Sequence, residues 1–291
     1  MRSTTLVLLA FTLGLAACDY VEDPTPPSSP DNGGGGNGGG GGDDTIVATR
    51  KVLLEDLTGH RCPNCPRAAR VAQDLKDDVY GDDLVLVAIH AGFFSNPVPP
   101  IGDGQYDTDH RTEAGNAYNT AYGPQSYPIG LISRKPYNGS ILVNDGSWGS
   151  AVADLIGTPT PFKLRVDTII TNGTSVSTEI SLELQQDVTG DYNLVVYLVE
   201  DRVIDWQYDS ESTPPDIPEY EHRHILRGNL NGTWGASAIA GGGAAGQSFS
   251  FPYTYTIPGN VVNVDNCYLV AWIYDVATDE VMQVEERKFA P

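Results

Sequence analysis

The sequence predicts an α/β unit of order β-α-β-α-β-β-α followed by an all-β unit with the character of a sandwich. Three observations carry this prediction. The chain has 291 residues, more than a single domain usually holds. Between Thr45 and Thr158 continuous apolar runs alternate with stretches of helical periodicity. After Pro159 the pattern becomes short alternating runs separated by turn signals.

In chain order, Lys51 to Leu57 reads as a strand, and Cys62 to Tyr80 as a helix in which Ala68, Val71, Ala72, Leu75 and Val79 recur at helical spacing. Leu84 to His90 is an unbroken apolar run, as expected of a central strand covered on both faces. Asp109 to Tyr122 reads as a second helix, Ile129 to Ser133 and Ile141 to Val143 as strands, and Ser147 to Ile156 as a helix capped by Asp145 or Ser147. A long loop from Gly92 to Gln105 precedes the second helix. In the second half Phe162 to Thr171, Ser175 to Gln185, Tyr192 to Asp201, His222 to Leu226, Phe249 to Thr256 and Cys267 to Tyr274 are the strand candidates, with Asn172-Gly173 as a hairpin signal. Asp205 to Tyr220, with Pro214, Pro215 and Pro218, reads as a long exposed loop that could be a contact surface. Trp206, Trp234 and Trp272 read as packing residues of the β unit.

The N-terminus carries a targeting signal. Arg2 gives a short positive region, Leu6 to Leu15 an apolar core, and Leu15-Ala16-Ala17-Cys18 a lipobox. The apolar run is too short to span a bilayer. Residues 1–17 are thus expected to be a lipoprotein signal peptide, and 18–45 the lipidated Cys18 with a Gly/Pro-rich tether that cannot bury a core. The α/β unit is expected over 46–158 and the β unit over 159–291. The membrane is the expected partner, through the lipid on Cys18. The 38 acidic residues against 17 basic ones, a net charge of -21, exclude a nucleic-acid partner, whose phosphates need clustered Lys and Arg. The acidic start Asp19, Glu22 and Asp23 favours the outer surface of the outer membrane over its periplasmic side.

Outside the cytoplasm disulfides persist. Cys62-Pro63-Asn64-Cys65 follows a strand and opens a helix, whose N-terminus lowers a thiol pKa, so Cys62 is the candidate nucleophile and Cys65 the resolving cysteine. His60 and Arg61 add positive charge beside it, and Pro63 fixes φ in the first turn. Asp56, six positions before Cys62, could take the proton of the resolving thiol, unless Glu55 is the inward residue of that strand. Pro128 stands before the third strand. The order β-α-β-α-β-β-α with these features is that of thioredoxin folds, which place a cis-proline at that point. Two other readings of the C-x-x-C remain open: a stable structural disulfide Cys62–Cys65, and half of a zinc site completed by His60 and His90. His222 and His224, two apart, would share one strand face and could bind a metal, against the plainer reading of hydrogen-bonded histidines. Cys267 reads as a buried core thiol. No metal site and no cofactor are expected.

Leu54-Glu-Asp-Leu-Thr-Gly-His-Arg-Cys-Pro-Asn-Cys-Pro66, with Tyr127-Pro-Ile-Gly130 and Tyr220-Glu-His-Arg-His-Ile-Leu-Arg-Gly-Asn-Leu-Asn-Gly-Thr-Trp234, resembles the Omp-twenty-eight-related family of outer-membrane lipoproteins. The resemblance implies an outer-membrane location and a thioredoxin-like domain, and defines little activity. Residues 46–158 also resemble thioredoxins, with Cys62, Cys65 and Pro128 at the motif positions. Arg61 replaces the aromatic residue of that family, and Pro63-Asn64 its Gly-Pro. Two functions are expected in competition: thiol-disulfide exchange on envelope proteins, and surface binding by a lipoprotein with an immunoglobulin-like β domain and a structural disulfide.

Overall fold

The computed structural model describes residues 48–98 and 104–289. The signal peptide, Cys18 and the tether expected in residues 1–45 lie outside the described residues. The described residues cluster as one compact unit.

The first half runs β1 (Val52–Thr58), α1 (Cys65–Asp74), β2 (Leu84–His90), α2 (Glu113–Tyr122), β3 (Ile129–Ile132), β4 (Leu142–Val143) and α3 (Trp148–Ala153). The second half is β throughout. It comprises β5 (Phe162–Asn172), β6 (Ser175–Leu184), β7 (Tyr192–Glu200), β8 (Val203–Tyr208), β9 (Asp216–His222), β10 (Ile225–Asn229), β11 (Ala236–Ile239), β12 (Ser248–Thr256), β13 (Cys267–Asp275) and β14 (Val281–Lys288).

One sheet carries strands of both halves in the order β14-β13-β7-β10-β2-β1-β3-β4, with β11 on β7. β1 and β2 are parallel, as a helical crossover requires, and β3 and β4 are antiparallel to their neighbours. The halves join where Ile225 of β10 pairs with Ala88 of β2, and the Ala88 amide donates to the His224 carbonyl at 2.7 Å. The sheet therefore passes through the boundary expected after residue 158.

Strand alternation explains the layering. Leu194, Val196 and Leu198 of β7 face a second sheet, β12-β6-β5, through Phe162, Ile180 and Leu182. Val195, Tyr197 and Val199 face the other way, into a core shared with Leu53 and Leu57 of β1, Tyr118 of α2 and Trp272 of β13. Both faces of β7 are covered, so Leu194 to Val199 is an unbroken apolar run. Helices α1 and α3 cover Val52, Leu54 and Leu86 on the opposite face of β1 and β2 through Ala68, Ala72, Trp148 and Val152.

Three expectations are corrected. The helix predicted from Cys62 begins at Cys65 with Pro66, not Pro63, in its first turn, and it loosens into a π-helical segment over Leu75–Tyr80. Val79 consequently leaves the apolar stripe and is 62% exposed. The stretch Asp205 to Tyr220 is a hairpin of β8 and β9, because Val203 and Gln207 alternate inward. His222 and His224 do not sit together on one strand: His222 ends β9, and His224, with φ +55°, lies in the connection to β10.

Candidate functional site

Cys62 and Cys65 form a disulfide, with Cα atoms 5.4 Å apart, in the turn that leads from β1 into α1. The turn is fixed from below. An added Cβ at Gly59 would lie 2.6 Å from the carbonyl carbon of Phe94, so the loop after β2 passes directly against this glycine, and the Arg61 amide donates to the Phe94 carbonyl.

The disulfide is buried under a cover. Cys62 is 0% and Cys65 2% exposed. The cover is the β8–β9 hairpin, whose backbone is bonded to the motif: the Tyr208 amide donates to the His60 carbonyl at 2.8 Å, and the Ser210 amide to the Pro63 carbonyl at 3.0 Å. Gln207, itself buried, reaches the Cys62 carbonyl from Nε2 at 3.3 Å. Arg70 of α1 pairs with Asp209 and Glu211 of the hairpin tip, and the Tyr106 hydroxyl donates to Asp216. Phe94, in the segment after β2, supplies one wall, while the hairpin supplies the roof.

Asp56 and Glu55 are both buried, because both faces of β1 are covered. Glu55 accepts two hydrogen bonds from Arg134 and one from the Tyr197 hydroxyl. Asp56 points to the opposite side, under α1, and its Oδ1 has no hydrogen-bond partner among the described residues. Burial, reinforced by Asp145, pushes the Asp56 carboxyl up to about 8. The peptide before Pro128 is cis, and Pro128 is buried immediately before β3, whose Gly130 pairs in register with Asp56.

Four of the five histidines meet beneath the hairpin. The rings of His90, His110 and His222 lie 5.1, 5.3 and 5.5 Å apart, and His60 joins them 5.8 Å from His110. His110 Nε2 stands 3.0 Å from Asp205 of the hairpin. Burial lowers His60 to about 4 and His222 to about 3, with neighbouring His110 adding to both, and holds His90 well below the usual imidazole range. Asp205 is lowered as well: burial opposes this, but bonds from His110, Thr108 and the Trp206 amide outweigh it. Among the described residues no three His, Cys, Asp or Glu side chains converge to hold a metal ion. His224 lies apart, bonded to Gln73 and Asp201.

A cavity of about 410 Å³ lies behind the disulfide, between α1, the β1–β2 strands and β9. Asp56, Cys65, Ala69, Leu86, His90 and Tyr220 are among its walls. Cys62 is not. Cys267 is buried at the start of β13 with its thiol pushed up to about 12 by burial and Glu200, and has no disulfide partner among the described residues. The sequence reading missed Gln207, Asp209, Ser210, His110 and Tyr106. Alternation in Val203 to Tyr208 was the signal that could have found β8, whereas the histidines come from four separate segments and no local spacing joins them.

Comparison with known proteins bears on the fold and the family. No curated protein sequence matches the chain. HBP35 of Porphyromonas gingivalis is similar in fold, at 14% identity and a TM-score of 0.59, over 83% of this chain and 76% of that one. A domain of the outer membrane lipoprotein Omp28 from the same organism aligns at 20% identity and a TM-score of 0.32, over 45% of this chain and 90% of its own. The model of the family described as outer membrane protein Omp28 matches residues 115–291, a segment that contains Pro128 and the whole hairpin but not the two cysteines. With more than half of its length matched, the chain belongs to the Omp28 family of outer membrane proteins.

Proposed function

We propose that this is a lipoprotein held in the outer membrane through Cys18, facing outward, in which a thioredoxin-like unit serves as scaffold and the Cys62–Cys65 disulfide braces the seat of the β8–β9 hairpin. The order β2-β1-β3-β4 with its helices supports the thioredoxin-like reading of the first half, and the paired sheets support an immunoglobulin-like reading of the second. The observation that carries the functional reading is the direct bonding of the hairpin to the motif backbone at His60, Cys62 and Pro63. A protein thiol cannot reach either sulfur while those bonds hold, so the chain acts by binding and not as a general exchanger of protein disulfides.

Insulin reduction by dithiothreitol tests this reading. The protein is expected to leave the rate at that of dithiothreitol alone, and a marked acceleration would overturn the binding role. Anchoring is tested by Cys18→Ser, which should move the protein to the soluble fraction. Protease added to intact cells should remove it, and survival until lysis would place it in the periplasm.

A second reading, thiol-disulfide exchange, has one observation in its favour. Asp56, with a carboxyl that stays protonated to about pH 8, lines the same cavity as Cys65.

A further inference from the structure

The hairpin closes the front of the motif, and the cavity behind it leaves one sulfur-bearing residue within reach of a small molecule. We propose that the cavity between α1 and β9 is a binding site for a low-molecular-weight thiol and that such a thiol opens the disulfide at Cys65, not at Cys62. The proposal rests on the exchange reading of the site and reverses the order expected from the motif.

Three observations converge on it. Cys65 is a wall of the cavity while Cys62 is wholly enclosed by the hairpin and the loop after β2. The volume of about 410 Å³ suits a molecule of small-metabolite size and excludes a polypeptide. The walls are largely apolar, from Leu54, Leu86, Ala69 and Ala72, yet Asp56 Oδ1 and His90 Nδ1 are buried in its lining residues without hydrogen-bond partners among the described residues. Buried polar atoms left without partners are costly, and a ligand with a polar end would satisfy them.

The chemistry balances with the thiol as reductant. A thiolate RS⁻ attacks Cys65 Sγ, the RS–Sγ bond forms, the Cys62–Cys65 bond breaks, and its electron pair leaves on Cys62 Sγ. A second RS⁻ attacks the RS sulfur, giving RSSR and releasing Cys65. Two RSH are oxidised to one RSSR and the disulfide is reduced to two thiols, which take up the two protons. Asp56, protonated in the cavity, is placed to relay them.

Single-cysteine variants separate the two sulfurs. In Cys62→Ser the remaining Cys65 should be modified by methyl methanethiosulfonate, a small reagent, at least on the order of ten times faster than Cys62 is in Cys65→Ser, and polyethylene-glycol maleimide should modify neither. Peptide mapping keeps Cys267 out of the count. Ala69→Leu, which narrows the cavity, should slow the modification of Cys65. If the variants fail to fold, the oxidised wild type treated with 2-mercaptoethanol and quenched in acid should carry the trapped adduct on Cys65. An adduct on Cys62, or equal labelling of both, overturns the proposal and leaves the exchange reading standing. If no thiol, small or large, opens the disulfide without denaturant, both fall together.

Discussion

Gln207 Nε2 donates to the Cys62 carbonyl at 3.3 Å across 145 residues of sequence, and both residues are buried. The same amide lies 3.4 Å from the Gly59 carbonyl and 2.8 Å from that of Tyr208. One side chain thus ties the roof of the site to both ends of the turn that holds the disulfide. Gln207→Ala removes the side-chain donor to the buried Cys62 carbonyl and should lower stability by about 1–3 kcal/mol in urea unfolding, with hydrogen exchange rising first in β8 and β9. An unchanged exchange pattern would show that the backbone bonds at Tyr208 and Ser210 hold the hairpin unaided.

The Asp56 carboxyl makes stability fall as pH rises. Its folded value of about 8 lies above the unfolded value of 3.8, so the folded state keeps a proton that the unfolded chain releases. The associated stability is fully present below about pH 4 and is lost as pH climbs through 8. Asp56→Asn removes this dependence. At pH 8 the variant should exceed wild type by an amount on the order of a few kcal/mol, at about 1.4 kcal/mol per pKa unit, and the two should converge near pH 4. Parallel stability curves across that range would contradict the assignment.

The histidines act in the opposite direction. His60 and His222 are lowered to about 4 and 3, so their contribution is complete above the unfolded value of 6.5 and is lost as pH falls through those folded values. The groups facing them are His90 and His110, Asp205 and Tyr220 of the hairpin, and Tyr106, with Arg61 acting on His60 and Arg227 on His90. Acidification from pH 6.5 towards 4 should therefore loosen the hairpin, read as a change in the environment of Trp206. His222→Gln should weaken that acid sensitivity. The same sensitivity in the variant would remove His222 from the explanation.

Arg134 and Glu55 are both fully buried and joined at 2.7 Å, with the guanidinium 4.3 Å from the centroid of Trp272 and 4.6 Å from that of Tyr118. The pair binds β1 to β13 and makes one core of the two halves. Arg134→Met leaves Glu55 as an uncompensated buried charge and should cost about 3–5 kcal/mol, while the double change with Glu55→Gln should cost less than the sum of its parts. Both halves should unfold in a single transition. Two separated transitions in the wild type would show independent cores.

The elements of the first half were legible because each carries its own local signal. Leu84 to His90 reads as a covered central strand and is β2 with the same bounds, and Thr112 caps α2 by accepting from the Gly115 amide within the segment expected to be helical. The disulfide partners were legible from spacing. The roof was not, because a run with three prolines reads as a loop, whereas Pro214 and Pro215 sit in the hairpin connection and Pro218 in β9, a strand paired only with β8. Nor could the sequence distinguish Asp56 from Glu55 as the inward carboxylate, since alternation buries only one of them when a single face is covered. Residues from both halves cover both faces, and such non-local packing has no signature in a window of neighbouring residues.

The sealing of Cys62–Cys65 by the hairpin is tested most directly by the rate at which a reduced thioredoxin reduces this disulfide in the folded protein, followed by alkylation and mass spectrometry. With the roof closed, reduction waits for the hairpin to open, so the rate should level off as the concentration of reduced thioredoxin is raised. Replacing the tip from Asp209 to Pro215 with a short glycine turn should raise that plateau at least on the order of ten-fold. A rate in the intact protein that rises in proportion to thioredoxin throughout, and matches that of the tip-replaced variant, would contradict the account.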